Sequence, residues 1–178
     1  ENVAREKSRL LDHVKPGGLR ILNADDPGLQ SVRSKYSAVT YGIDGGDFKA
    51  AIVQQDSMRS VFEVKKPVDL AGVFEVPLPG RHNVLNALAA LCVTNQIGCT
   101  ADEIRKGLTD ARLSPHRCRV FQLNRMTIID DCYNAAPASV RSNLTMLREI
   151  AGNGRTVAIL GDMLELGDIS DIEHRAVG

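Results

Sequence analysis

Ile128-Ile129-Asp130-Asp131-Cys132-Tyr133-Asn134-Ala135-Ala136-Pro137-Ala138-Ser139-Val140 is the stretch whose reading decides the fold. The apolar run Thr127-Ile128-Ile129 predicts a buried strand that stops abruptly in two carboxylates, Asp130 and Asp131. A polar turn with Tyr133, Asn134 and Pro137 comes next, and then Val140, Leu144, Leu147 and Ala151 recur at the helical period. The run Thr156 to Leu160 predicts a second strand, ending at Gly161-Asp162. Strand, helix and strand within about thirty-five residues make a βαβ unit. Ligands of such units sit at the carboxyl ends of the strands. Asp131 stands open to two readings there, as a cap for the turn or helix and as a functional carboxylate.

Just upstream, Val120 to Leu123 and Met126 to Asp130 predict a hairpin around Asn124-Arg125. Before it, Leu113-Ser114-Pro115-His116-Arg117-Cys118-Arg119 reads as a linker between two domains, 1–113 and 114–178. Its two arginines and histidine form a local cation suited to phosphate, although a solvated linker looks similar. Further upstream, Arg81 to about Ile97 predicts an alanine-rich helix with Gly98 as its stop. Asn83 and Asn86, three apart, are expected to point one way near its N-terminus, where free backbone donors suit a polar or anionic ligand. Asn83 as an N-cap is the plainer alternative. Thr100 and Glu103 form a capping-box pattern that opens a second helix, with Ile104, Leu108 and Ala111 on its buried face.

The first half opens on a helical segment, Glu1 to Val14, with Val3, Leu10, Leu11 and Val14 on one apolar stripe and Lys7 on the same face. A lysine there either snorkels or is held in a site where burial makes the amine reactive. Leu19 to Leu22 predicts a strand running into the polar Asn23-Ala24-Asp25-Asp26-Pro27-Gly28 turn, followed by a short helix at Ser31 to Lys35 and a strand at Ala38 to Tyr41. Alternation from Phe48 to Val64 around Asp56-Ser57 predicts an antiparallel hairpin, and Leu70 to Val76 a further strand. The expected class is α/β with a β-rich insertion. The final Ser170-x-x-Glu173 is another capping-box pattern, and a first residue other than Met suggests a piece of a longer protein.

The 178 residues are 43% hydrophobic and 25% charged, an ordinary globular balance. Twenty-two basic residues match twenty-two acidic ones, which argues against a nucleic-acid partner. No apolar run approaches a membrane span. The four cysteines lack Cys-x-x-Cys spacing, so reduced thiols in a cytoplasmic protein are expected, with Cys132 in the turn the one of interest.

Taken together, Ala4-x-x-Lys7, Asn23-Ala-Asp-Asp-Pro27, Gly80-Arg-His-Asn-x-x-Asn-Ala-Leu-Ala-Ala90, Pro115-His-Arg117, Asp130-Asp-x-Tyr-Asn-Ala-x-Pro137 and Leu160-Gly-Asp-Met-Leu-Glu-Leu-Gly167 resemble the Mur ligases of bacterial peptidoglycan synthesis. The last two favour the member that joins D-alanyl-D-alanine to UDP-N-acetylmuramoyl-tripeptide. The resemblance runs from Ala4 to His174. It implies the C-terminal part of the family's central ATPase domain joined to the first part of its Rossmann-like C-terminal domain, with ATP and Mg2+ as cofactors. It also implies roles for single residues. Lys7 would be carbamylated and hold the metal, Asn83 and Asn86 would lie near the nucleotide base, and Arg117 or Arg119 near its ribose and phosphates. Asp131 would act across the domain cleft, and Tyr133 and Asn134 would lie near the nucleotide or the incoming dipeptide.

The sequence departs from the family pattern at three places. Ala136 replaces a usual asparagine, Cys132 a common serine, and Cys118 a frequent glycine. No Gly-x-x-x-x-Gly-Lys-Ser/Thr phosphate loop occurs in the 178 residues, so the chain alone is expected to be inactive. Two further readings share these residues: a Mur ligase acting on the UDP-linked dipeptide, and a non-catalytic Rossmann-like binding module.

Overall fold

A computed structural model describes residues 2–112 and 115–178. The boundary expected between residues 113 and 114 lies outside the described residues. The first half is a five-stranded sheet in the order β1 (Ile21–Asn23), β2 (Val39–Gly42), β3 (Phe48–Gln55), β4 (Ser60–Lys66) and β5 (Gly72–Val76). β1, β2 and β3 are parallel neighbours, and β3, β4 and β5 are antiparallel. Alternation along β4 and β5 turns Phe62, Val64, Phe74 and Val76 to one face, and the Phe62 and Phe74 rings stack with centroids 6.0 Å apart.

The short helix α2 (Gln30–Lys35) lies between β1 and β2, and helices α3 (Arg81–Gln96) and α4 (Ala101–Thr109) cover that face. α3 buries Val84, Ala87, Leu88, Leu91 and Cys92, an i, i+3, i+4 stripe whose small Ala87 lets the helix lie close to the strands. Gly98, at φ +94°, ends the helix as expected. The Thr100–Glu103 capping box forms in both directions: Thr100 Oγ1 accepts from the Glu103 N–H, and the Glu103 carboxylate accepts from the Thr100 N–H.

The connection from β2 into the parallel β3 takes only five residues, and one carboxylate holds it. Asp25 accepts from the backbone N–H groups of Ile43, Asp44 and Gly45 at 2.7, 3.0 and 3.2 Å. A Cβ on Gly42 would lie 2.3 Å from Asp25 Oδ1, so only glycine fits there. The same carboxylate is bound by Arg81 at the start of α3 at 3.2 Å, and Arg81 also reaches Asp44 at 2.8 Å.

The second half contains a two-stranded antiparallel sheet, β6 (Arg119–Leu123) and β7 (Met126–Asp130), followed by α5 (Pro137–Ala151) and α6 (Ser170–Val177). Three expectations fail in this half. β7 is half-buried at Ile128 and Ile129 and exposed at Thr127, so it is not a core strand. Thr156 to Leu160 forms no strand: none of the described residues pairs with it, and Ile159 is 94% exposed. A lone extended run has no ladder to supply its hydrogen bonds, whatever its apolar content. The Ser170–Glu173 box does not form either. The residue before α6 is Ile169, Ser170 Oγ lies 3.3 Å from His174 Nδ1, and Glu173 pairs with Arg141 of α5.

The opening helix also differs from its reading. α1 (Asn2–Ser8) passes at Arg9 into a 3-10 turn reaching His13. The change from 3.6 to about three residues per turn beyond Ser8 shifts Leu10 off the stripe. Leu10, expected inside, is 71% exposed, while Leu11 and Val14 are half-buried. No helix among the described residues is long and apolar enough to cross a membrane.

Candidate functional site

The two halves meet where the Pro115–Arg119 linker lies against the loop between β7 and α5. His116 and Cys118 both adopt positive φ, +59° and +47°. That gives a physical reason for a glycine at position 118: a side chain with a Cβ costs about 1 kcal/mol or more in this region. The kinked linker is fastened along its length. Asp131 Oδ1 accepts from the Cys118 N–H at 2.8 Å, and its other oxygen accepts from the Asn143 side-chain amide of α5. The Tyr133 N–H donates to His116 O at 3.1 Å, and His116 Nδ1 lies 2.9 Å from Asp130 Oδ2. The Arg117 guanidinium sits 4.1 Å from the centre of the Tyr133 ring, a cation–π contact.

The N-terminus of α3 faces the other side of this junction. Asn83 is 3% exposed, and its Nδ2 donates to Pro79 O at 2.7 Å and lies 3.8 Å from Cys118 Sγ. It is neither an N-cap, since Gly80 holds that place without a side-chain bond, nor aligned with Asn86, which is exposed one turn on. A spacing of three turns a residue by 300°, and that 60° offset separates a buried position from an exposed one at this edge. His82 Nδ1 lies 3.0 Å from Ser142 Oγ of α5; burial pushes His82 below its usual range, and the Asp131 charge partly opposes this. The Cys118 thiol is 3.9 Å from Met146 Sδ, and burial pushes that thiol up. A Cβ on Gly80 would come within 3.2 Å of the same Met146 sulfur, so the glycine lets the second half approach α3.

These contacts bring Asp131, Arg117, Tyr133 and Asn83 into one junction. Asp131 is half-buried and ties linker to helix, while Tyr133 is 64% exposed at its edge. Asn134 is exposed, and its side-chain oxygen accepts from the Ala135 N–H at 3.0 Å. Arg119 lies apart on β6, over the Phe121 ring at 5.4 Å, and Asn86 makes no hydrogen bond to the junction among the described residues. Lys7 is exposed, not buried in a stripe; it lines a separate cleft of about 500 Å³ with Leu11, Leu22, Asp26, Leu29 and Val32. Asp25, His82, Asn143 and Met146 were not singled out by sequence reasoning. Asp25 and His82 stand inside the polar motifs, where their spacing to chemistry-bearing neighbours was the available signal. Asn143 and Met146 gave none, because their partners lie far off in sequence.

The first half is a parallel-to-antiparallel sheet under two helices, joined through a fastened linker to a second, smaller unit, and the chain belongs to the Mur ligase family. The model of the Mur ligase middle domain matches residues 1–94, and that of the Mur ligase glutamate ligase domain matches residues 116–178. Over 180 residues the chain is 31% identical to the UDP-N-acetylmuramoyl-tripeptide–D-alanyl-D-alanine ligase of Bacillus subtilis (strain 168), covering 100% of this chain and 38% of that protein. It is 33% identical over 182 residues to the ligase of the same name from Escherichia coli (strain K12), covering 99% and 40%. A crystal structure of MurF from Acinetobacter baumannii superimposes with a TM-score of 0.88 at 31% identity, covering 98% of this chain and 38% of that one. The MurF ligase of Thermotoga maritima in complex with ADP superimposes with a TM-score of 0.80 at 25% identity, over 96% and 39%. The chain thus spans about two-fifths of the length of the relatives it matches.

Proposed function

We propose that this chain works as the central part of a MurF-type enzyme, a cytoplasmic ATP-dependent ligase that adds D-alanyl-D-alanine to UDP-N-acetylmuramoyl-tripeptide. The observation that carries this reading is the similarity to ligases of that one name across both modules and the linker between them. In that reaction the tripeptide carboxylate takes a phosphoryl group, the dipeptide amine attacks the acyl phosphate, and the tetrahedral intermediate collapses to amide and phosphate.

The residues present fit the expected groups in part. Arg117 and Arg119 are exposed cations flanking the linker, suited to ribose and phosphate oxygens. Asn86 is exposed on α3 and offers an amide to a base. Asn83 supports that helix end from within, its own amide being bonded to Pro79. Asp131 sets the angle of the linker, and with it the positions of Arg117 and Tyr133. Asn134 and Tyr133 offer an amide and a ring edge to the dipeptide. Lys7 lies on the wall of an open cleft that carbon dioxide and a cation can reach, and Asp26 brings a second oxygen donor to the same cleft. As a carbamate, Lys7 would hold magnesium with Asp26 nearby. The metal, when bound, offsets negative charge on the transferring phosphoryl group.

The test is a nucleophile comparison with the complete gene product. With ATP and UDP-N-acetylmuramoyl-tripeptide, D-alanyl-D-alanine should give amide and phosphate, and diaminopimelate or lysine should not. Ligation of diaminopimelate or lysine to the UDP-linked dipeptide would instead place the protein with the neighbouring family members. No ligation with any nucleophile would leave a binding module.

A further inference from the structure

We propose that His116, Asp130 and Cys132 form a binding site for a borderline-soft divalent cation of the zinc type. The three side chains come from two segments, the linker and the end of β7, and their ligand atoms all lie within 4.8 Å of one another. Asp130 is the centre of the group. One of its oxygens is 2.9 Å from His116 Nδ1, and the other accepts from the Cys132 N–H at 3.4 Å. The Cys132 sulfur lies within 4.8 Å of this carboxylate.

An imidazole nitrogen and a thiol sulfur thus stand beside a single carboxylate. A cation with a bond length of about 2.0–2.3 Å to nitrogen, oxygen or sulfur can take the place of the thiol proton and bind His116 Nδ1 of the neutral tautomer that carries its proton on Nε2. The ligand separations it demands, about 3.3–3.8 Å for a tetrahedron of such bonds, are reached by rotating exposed side chains. Binding releases the thiol proton to solvent and leaves a thiolate, a carboxylate and a neutral imidazole. Their combined charge of minus two balances the ion.

Without metal, the Asp130 carboxylate raises the Cys132 thiol above its ordinary range, and the thiol and His116 hold Asp130 below its own. A bound cation reverses the first effect, since a coordinated thiol is deprotonated outright. The donor set of one sulfur, one nitrogen and one oxygen selects zinc-type ions over magnesium. All three residues are at least partly exposed, so the fourth position stays open to water. Occupancy would tie the linker to the β7–α5 loop at a second point beside Asp131.

Cobalt(II) titration of the chain, in a thiol-free reductant, reads the site directly and independently of ligase activity. A stoichiometric, zinc-displaceable thiolate-to-cobalt charge-transfer absorption is expected, unaffected by excess magnesium. Cys132→Ser should abolish that absorption while leaving the circular dichroism spectrum unchanged, and His116→Ala should weaken cobalt binding about 10–100-fold. The proposal is overturned if the absorption is absent, if it persists in Cys132→Ser, or if it disappears in Cys99→Ser instead. An unchanged affinity in His116→Ala overturns the three-ligand arrangement equally.

Discussion

Replacing Asp131 by alanine separates its structural work from any chemical role. The carboxylate accepts from the Cys118 N–H at 2.8 Å and from the Asn143 amide, and Cys118 itself is buried. A hydrogen bond to a charged group contributes about 1.5–3 kcal/mol, and a buried donor left unpaired costs a similar amount. Asp131 is only half-buried, so water takes up part of the loss at Asn143. The net expectation is about 3 kcal/mol for Asp131→Ala and about half that for Asp131→Asn, which keeps one acceptor without its charge. With a urea slope of about 2 kcal/mol per molar, the unfolding midpoint of Asp131→Ala should fall by about 1.5 M. Hydrogen exchange gives a local check, since the Cys118 amide should lose protection in the same variant. A midpoint within about 0.2 M of the parent's, with Cys118 still protected, would show that the linker is not held by this carboxylate.

Neighbouring contacts lead to further expected outcomes. Asn83→Ala leaves Pro79 O without its side-chain donor and opens a small gap beside Cys118, so it should lower stability by about 1–2 kcal/mol, seen as a lower melting temperature. His82, held below its ordinary value of 6.5, takes up a proton on unfolding, so stability should fall as pH drops below 6.5 and level off once the folded form titrates. Urea midpoints at pH 7.5 and 5.5 should therefore differ more in the parent than in His82→Gln. Asp12, Asp56 and Asp130 are held below 3.8, so their contributions are lost at lower pH and do not blur that window. In the complete enzyme, Lys7→Arg and Lys7→Ala should both fold and lose most turnover, with formate or acetate restoring some activity only to the alanine variant. Wild-type turnover in folded Lys7→Arg would reduce Lys7 to a surface lysine. The 178-residue chain alone should neither hydrolyse ATP nor form the amide, because it lacks a phosphate loop.

Local chemistry was the part of the fold most legible in the sequence. The Thr100–Glu103 box, the stop at Gly98, the hairpin around Asp56-Ser57 and the alternation along β4 each depend on residues a few positions apart, and each forms as its residues predict. The failures have a different cause. The Thr156–Leu160 run has the composition of a strand, but a strand is defined by a partner, and composition does not supply one. The Lys7 stripe assumes a single helical period through Val14; the 3-10 turn at Arg9 takes Leu10 out of it, and Lys7 is exposed within α1 itself. Asn83 and Asn86 look alike by spacing, yet tertiary packing against Cys118 and Pro79 separates them. Asp25 is visible in the sequence only as a polar residue at a strand end. Its three backbone donors come from a loop some twenty positions away, and Arg81 from further still. Asp131 is marked by its place after a strand, but its role in fastening the linker needs Cys118 and Asn143 in space.

The central claim is that this chain serves an amide ligase that activates a carboxylate as an acyl phosphate. Heavy-oxygen label placed in the terminal carboxylate of UDP-N-acetylmuramoyl-tripeptide tests it most directly, using the complete enzyme with ATP and D-alanyl-D-alanine. The account predicts that one labelled oxygen per amide formed appears in inorganic phosphate. Amide formation with the expelled oxygen appearing in water or AMP instead of inorganic phosphate would contradict it.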